Sequence, residues 1–419
     1  MMRTFILTVV FCGMLPVIVN AQNRAVSKTD TLFIESLLKK HPDLFQHLLD
    51  FPDSFNVQIV YTQINRDKHN QPSFKEFSYH LNNGHYFYPA STVKMPVALL
   101  ALERLRELNI PGLDKNTTMI TDSASPAQDI VYTHPMSEDG RATIAHYVKQ
   151  IFLVSDNDAF NRLYEFLGQE YIQKKLTEKG YPGIIIRHRL NISRTQEQNK
   201  NSNPVRFMDA AGNIIYQQPN QYSKAVFPAM DVKLGNGYYS NGKLINEPFN
   251  FSAKNRVYLQ DQHHILQSIL FPGSVDQIKR FNIPANDLDF VKHWMSAYPK
   301  ESRYPYYDST EYPDAFGKFL MHGSDRQSLP PGIRIFSKEG DAYGFLIDIA
   351  YVADFEHHIE FMLSATISCN SDGIFNDDKY DYERLGYPFM KDLGKTIYEY
   401  ELARKRKYVP DLHSFMLVY

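Results

Sequence analysis

Apolar residues Leu32, Phe33, Leu37 and Leu38 recur at near-helical spacing and predict an amphipathic helix over residues 29–40. Pro42 interrupts it, and Leu44, Phe45, Leu48 and Leu49 predict a second short helix behind the proline. The period then changes. Residues 56–65 are rich in strand formers, residues 74–80 alternate, and Asn82-Asn83-Gly84 reads as a turn. Helical text resumes at Ser91, and from Met95 to Leu102 apolar residues cover nearly every face, as in a helix buried all round. Pro96 is tolerable there because it lies in the opening turns. Residues 144–154 and 158–167 predict two further helices joined at Ser155-Asp156-Asn157, with Thr143 capping the first and Gly168 stopping the second.

Residues 181–251 differ in character: Asn, Gln, Gly and Tyr dominate, and the turns Gly235-Asn236-Gly237 and Asn241-Gly242 predict an irregular insertion with small hairpins. Helical patterns return over 261–270 and 284–294, and residues 304–330 are loop-rich. Residues 333–336, 345–352 and 359–367 predict three strands, and 388–404 a long closing helix. Strands thus occupy both ends of a mostly helical middle. The economical architecture is α+β, in three layers: an antiparallel sheet built from both ends of the chain, terminal helices covering it, and an inserted all-helical subdomain, with the active site in the cleft between. In domain terms this predicts residues 22–88 and 330–419 as two parts of one α/β subdomain. Residues 89–329 form the helical subdomain, including the insertion at about 181–251.

Composition narrows the function. Of 419 residues, 43% are hydrophobic and 14% aromatic, enough to build a core, and the formal charge of −2 with no long single-sign block gives no sign of a nucleic-acid partner. The cluster Arg404-Lys405-Arg406-Lys407 reads as a solvated helix end. Met1-Met2-Arg3, an apolar run from Phe5 to Val19 and the small residue Ala21 read as an export signal over residues 1–21, which predicts a periplasmic or extracellular protein; a retained membrane anchor is the alternative, disfavoured because the run is short and broken by Gly13 and Pro16. No later stretch is long and apolar enough to span a bilayer. Removal of the signal with Cys12 leaves Cys369 alone, so no internal disulfide is expected. His80, His85, His263 and His264 show no metal-ligand spacing, and the expectation is surface or core histidines, with no metal and no cofactor.

Three short motifs carry the chemistry: Ser91-Thr92-Val93-Lys94, Ser155-Asp156-Asn157 and Lys338-Glu339-Gly340. Ser-x-x-Lys alone is common, and Ser36 to Lys39 and Ser240 to Lys243 match it too. Ser91 stands apart because it follows the extended Tyr88-Pro89-Ala90 and opens a buried helix. Positions i and i+3 share a helix face, which brings Lys94 within reach of the Ser91 hydroxyl. A serine at a helix start also lies near unpaired N–H groups and the positive dipole end, where an oxyanion is favoured. A lysine beside other cations and away from bulk water loses its proton more readily and can act as a base. Ser155-Asp156-Asn157 would also serve as a pair of helix caps.

In this order and context the chain resembles the class A β-lactamase branch of the penicillin-recognising serine hydrolases. The resemblance runs through residues 89–96, residues 154–163 with Leu167-Gly168, then Lys338-Glu339-Gly340, Tyr343-Gly344 and Asp348-Ile349-Ala350. It implies an acyl-enzyme at Ser91, with Lys94 as base partner and Ser155 relaying a proton to the leaving nitrogen. By the same resemblance Asn157 holds the substrate's side-chain carbonyl and Lys338 attracts its carboxylate. The Ser91 and Asp341 backbone N–H groups would form the oxyanion hole, each such donor being worth ~3–4 kcal/mol of barrier. The implied substrate is a small or peptide-like acyl compound: a β-lactam, a cell-wall peptide or an ester. A non-turnover sensor or binding module is the alternative of another class. Two departures stand out. The family's water-activating glutamate falls in the altered region, where Glu197 with Asn201 has the right i, i+4 spacing in foreign surroundings. The middle residue of Lys-x-Gly is ordinarily Thr or Ser, and Glu339 puts a carboxylate beside the substrate's own.

Overall fold

The computed structural model describes residues 28–330 and 332–419. The expected export signal lies outside them. Helices α1 (Lys28–Leu38), α2 (Pro42–Asp50) and the short α3 (Pro52–Phe55) lead into β1 (Gln58–Arg66) and β2 (Pro72–Tyr79). A 3-10 turn, Ala90–Val93, opens α4 (Lys94–Leu108), followed by β3 (Thr118–Thr121), α5 (Ile144–Val154) and α6 (Asn157–Glu178). The next region holds α7 (Gln196–Lys200) and short strands β4 (Asn201–Ser202), β5 (Val205–Met208), β6 (Ile214–Gln218), β7 (Gln221–Tyr222), β8 (Lys233–Leu234), β9 (Gly237–Ser240), β10 (Lys243–Ile245) and β11 (Phe249–Asn250). Then come α8 (Leu259–Leu270), α9 (Ala285–Ser296) and α10 (Phe319–His322). The chain closes with β12 (Ile333–Ala342), β13 (Phe345–Asp354), β14 (Ile359–Ser368), β15 (Ile374–Phe375) and α11 (Tyr387–Ala403).

The main sheet is antiparallel with order β12-β13-β14-β1-β2, so strands from the two ends of the chain meet where β14 pairs with β1, Ile59 opposite Ala365. Both faces are covered, which is why β13 is buried at every position and reads as a continuous apolar run rather than an alternating one. On one face Leu346, Ala350 and Val352 share a core with Leu37 of α1 and Leu393 and Ile397 of α11. On the other, Ile347, Ile349 and Tyr351 join Leu99 of α4, Ile151 of α5 and Ile265 of α8. Full burial of each such side chain contributes ~1.5–3 kcal/mol.

One expectation needs correction. The inserted region is not all-helical: β3, β5 and β6 form an antiparallel sheet, and Thr118-Met119-Ile120-Thr121 carries the β-branched signature of its first strand. Gly168 does end the first helical stretch of α6, as expected: it leaves helical geometry at φ +73° and ψ 155°, and a second stretch follows to Glu178. Glycine fits there because a Cβ would lie 3.0 Å from Gln221 and 3.2 Å from Ser202.

Candidate active site

The segment before α4 turns sharply at Ala90, whose φ of +46° lies in the left-handed region. A side-chain-bearing residue pays ~1–2 kcal/mol to sit there, and the strain is held by buried neighbours at the point where the chain delivers Ser91. Thr92 Oγ1 donates to the Pro89 carbonyl at 2.7 Å and tightens the turn. Gly340 of β12 packs directly against it. A Cβ at Gly340 would lie 2.7 Å from the Ser91 nitrogen and 3.0 Å from the Pro89 oxygen, so only glycine lets the strand approach this closely. The Lys-x-Gly motif therefore has a packing reason, and it brings the main chain around Asp341 beside Ser91.

Ser155-Asp156-Asn157 is both a cap pair and a site element. Ser155 ends α5 at φ +59°, Asp156 caps α6 by accepting from the Ala159 N–H at 2.8 Å, and Asn157 opens that helix facing the cleft. Thr143 caps α5 as the sequence predicted, accepting from the His146 N–H at 3.1 Å.

Two buried lysines converge on Ser155. Lys94 Nζ donates to the Ser155 carbonyl and lies 3.3 Å from Ser155 Oγ, while Lys338 Nζ donates to the same Oγ at 2.8 Å. Lys94 is thus directed at Ser155, not at the Ser91 hydroxyl that helical spacing favoured. Burial, and then the Lys338 charge, hold Lys94 well below the ordinary lysine range, against Glu339, Asp156 and Asp341. The other two Lys338 donors go to the Glu339 carbonyl at 3.0 Å and Glu339 Oε1 at 2.9 Å. An ammonium has three N–H donors. All three are engaged.

Glu339 thus folds back onto Lys338 as a buried ion pair. Burial pushes its carboxyl up, but Lys338, joined by Lys318, outweighs that and holds it below the usual range. Gly317 makes room: a Cβ there would sit 3.0 Å from the Glu339 carboxylate. Sequence reasoning missed the next layer. Lys318 is buried with Nζ on the Met295 carbonyl at 2.7 Å and Ser337 Oγ at 3.2 Å, and burial lowers its pKa. Asp348, buried in β13, accepts from the Leu320 N–H at 2.9 Å, and burial raises its pKa. A lone lysine in a loop-rich stretch carries no sequence pattern that would have marked it.

Glu197 is not at the site. A capping box between Thr195 and Gln198 fixes the phase of α7, turning Asn199 inward and Glu197 outward. Its carboxylate binds Lys200 Nζ at 2.6 Å and the Tyr222 hydroxyl at 2.7 Å, with the side chain 65% exposed. Leu190 and Asn191 are what the preceding loop presents to the cleft. That loop is fastened to α6 by Asn161, which both donates to and accepts from the Leu190 backbone, and by the buried pair Arg189–Glu165 at 2.8 Å.

The cleft measures about 940 Å³ and contains Ser91, Ser155 and Asn157. Six acidic side chains line it, from Glu311, Asp325, Glu339, Asp341, Asp378 and Glu383; Glu339 is paired with Lys338 and Asp325 with Lys391, and Arg326 is the one cation among the described lining residues. Its wall is acidic.

Residues 50–224 match the model of the β-lactamase enzyme family. No curated protein matches the chain by sequence. Among solved structures it is similar to a β-lactamase from Streptosporangium roseum at 14% identity and TM-score 0.46, covering 86% of this chain and 99% of that one. A β-lactamase from Burkholderia phymatum is similar at 12% identity and TM-score 0.47, covering 88% and 100%. A class A β-lactamase from Clostridium kluyveri is similar at 14% and 0.46, covering 87% and 98%. The family match contains the Ser91–Lys94 and Ser155–Asn157 motifs, so this part of the chain is similar to the β-lactamase enzyme family where those motifs lie.

Proposed function

We propose that this β-lactamase-like protein is an exported serine hydrolase that forms an acyl-enzyme at Ser91 and favours cationic or neutral acyl donors over carboxylates. The observation that most supports it is the convergence of Lys94 and Lys338 on Ser155 Oγ beside Ser91. Lys94 with a depressed pKa supplies a free amine, which takes the Ser91 proton as Oγ attacks the acyl carbon. Catalytic contacts of this kind tighten on substrate binding. The Ser91 and Asp341 N–H groups hold the oxyanion, and Asn157 holds the substrate side-chain carbonyl. The lysine N–H groups occupy the lone pairs of Ser155 Oγ, so its own proton is free to pass to the leaving nitrogen or oxygen. Lys94 then returns the proton to Ser155, and water attack on the ester releases the acid and restores Ser91.

Substrate preference rests on charge. A substrate carboxylate meets a Lys338 with no free donor, a fixed Glu339 and an acidic wall. A second reading, an acylating sensor that keeps its adduct, draws support from the outward position of Glu197. Intact-mass measurements over time with penicillin, nitrocefin and an activated neutral ester separate the two. Hydrolysis over many turnovers supports the enzyme, a permanent adduct supports the sensor, and no adduct with any probe rejects both.

A further inference from the structure

Two separate segments bring one carboxylate and two imidazoles together on the surface: Asp53 of α3, and His80 just after β2 with His85 in the turn beyond. Their donor atoms all lie within 4.8 Å of one another. His80 Nε2 is 3.2 Å and His85 Nδ1 3.8 Å from the same oxygen, Asp53 Oδ1. The second ring nitrogen of His80, Nδ1, lies 3.2 Å from the Val57 carbonyl. A carbonyl can only accept, so that contact puts the proton on Nδ1 and turns the Nε2 lone pair toward the carboxylate.

A proton or a metal ion between that lone pair and the carboxylate oxygen satisfies both. The two rings have centroids 5.6 Å apart, close enough for one ion to reach a nitrogen of each. A single divalent cation serves both histidines at once. Donors on a tetrahedral zinc at ~2.0–2.1 Å are themselves roughly 3.3 Å apart. The His80–Asp53 separation already meets that spacing, and the His85 ring, on a 39% exposed side chain, has room to close the rest.

We infer that Asp53, His80 and His85 form a three-ligand site for a borderline divalent ion, Zn(II) foremost, with the fourth position left to water. The surrounding backbone is braced for it. Gln58 Nε2 donates to the His85 carbonyl at 3.2 Å, Gln58 Oε1 accepts from the Asn82 N–H at 3.2 Å, and Asn56 donates to the Tyr86 carbonyl at 2.8 Å. None of the three ligands lines the Ser91 cleft. The site instead ties α3 to the segment that runs from β2 to Ser91, which is a stapling role. Sequence spacing hid it because the carboxylate lies on a different element from the histidines.

The test uses the purified chain without an affinity tag, stripped of metal and dialysed against Zn(II) alone, with bound metal counted by mass spectrometry. The wild type is expected to hold about one more zinc per chain than the His80→Ala, His85→Ala double variant, and zinc should raise its unfolding temperature but not the variant's. Co(II) should give the intense visible bands of a tetrahedral site in the wild type alone. Asp53→Asn should weaken zinc binding at least tenfold. Equal zinc in wild type and double variant, or none retained by the wild type, overturns the site; an unchanged affinity in Asp53→Asn overturns its three-ligand composition. Metal-free circular dichroism confirms that each variant is folded before binding is compared.

Discussion

The acylation proposed at Ser91 needs a Lys94 that gives up its proton readily. Burial lowers its pKa and the Lys338 charge lowers it further. The rate of Ser91 acylation should therefore rise with pH through a lysine titrating well below the ordinary range. Replacing Lys338 by Gln removes a like charge, so the Lys94 pKa should rise and the acid limb of the profile should move to higher pH, along with any loss in maximal rate. Acylation rates across pH for the two proteins check this, and a limb that stays in place or moves lower counts against Lys94 as base. Glu197 gives the opposite kind of prediction. Its carboxylate is spent on Lys200 and Tyr222 at the surface, so Glu197→Gln should leave both acylation and deacylation within about twofold, an exposed substitution having little to perturb. Selective slowing of deacylation in that variant would return Glu197 to the mechanism. The sequence made Glu197 attractive by spacing alone; only the phase set by the Thr195–Gln198 capping box turns it away.

Elements were largely legible where one physical rule decided them. Thr143 and Pro42 marked helix starts correctly, and the apolar run at Phe345 marked a central strand. The failure came from tertiary context. Residues 118–121 become a strand because β5, more than eighty residues later, offers a partner. The Lys-x-Gly strand was found by motif, but its glycine has a local steric reason that the motif does not state. Gly340→Ala should force β12 away from the Ser91 turn, costing ~1–3 kcal/mol of stability as overpacking does, with a fall in acylation of at least tenfold. Urea unfolding and acylation kinetics measured together decide it. An alanine variant with unchanged kinetics means that the approach of β12 to Ser91 does not matter to the site.

For the molecule as a whole, net charge is misleading. A formal charge of −2 suggests little, but the cleft gathers six acidic side chains, two of them paired with Lys338 and Lys391, beside Arg326. The fold makes this concentration: residues 311 to 326, 339 to 341 and 376 to 387 are separate in sequence and meet at one opening. No reading of the chain in order would have assembled them. Fields in such clefts steer charged ligands, and salt screens them with a Debye length of ~8–10 Å near physiological ionic strength. Among activated esters of matched size, a cationic one should acylate the protein fastest at low salt and an anionic one slowest. The difference should shrink as salt is raised. An anionic ester that reacts as fast as the cationic one at low salt would remove charge as the basis of selectivity.

Covalent chemistry at Ser91 is tested most directly by peptide mapping after reaction with an activated neutral ester. The wild type should carry the acyl mass on the peptide containing Ser91. Ser91→Ala should carry none while keeping its circular dichroism and unfolding temperature. Label that persists in Ser91→Ala, or that sits on another residue of the wild type, contradicts the account.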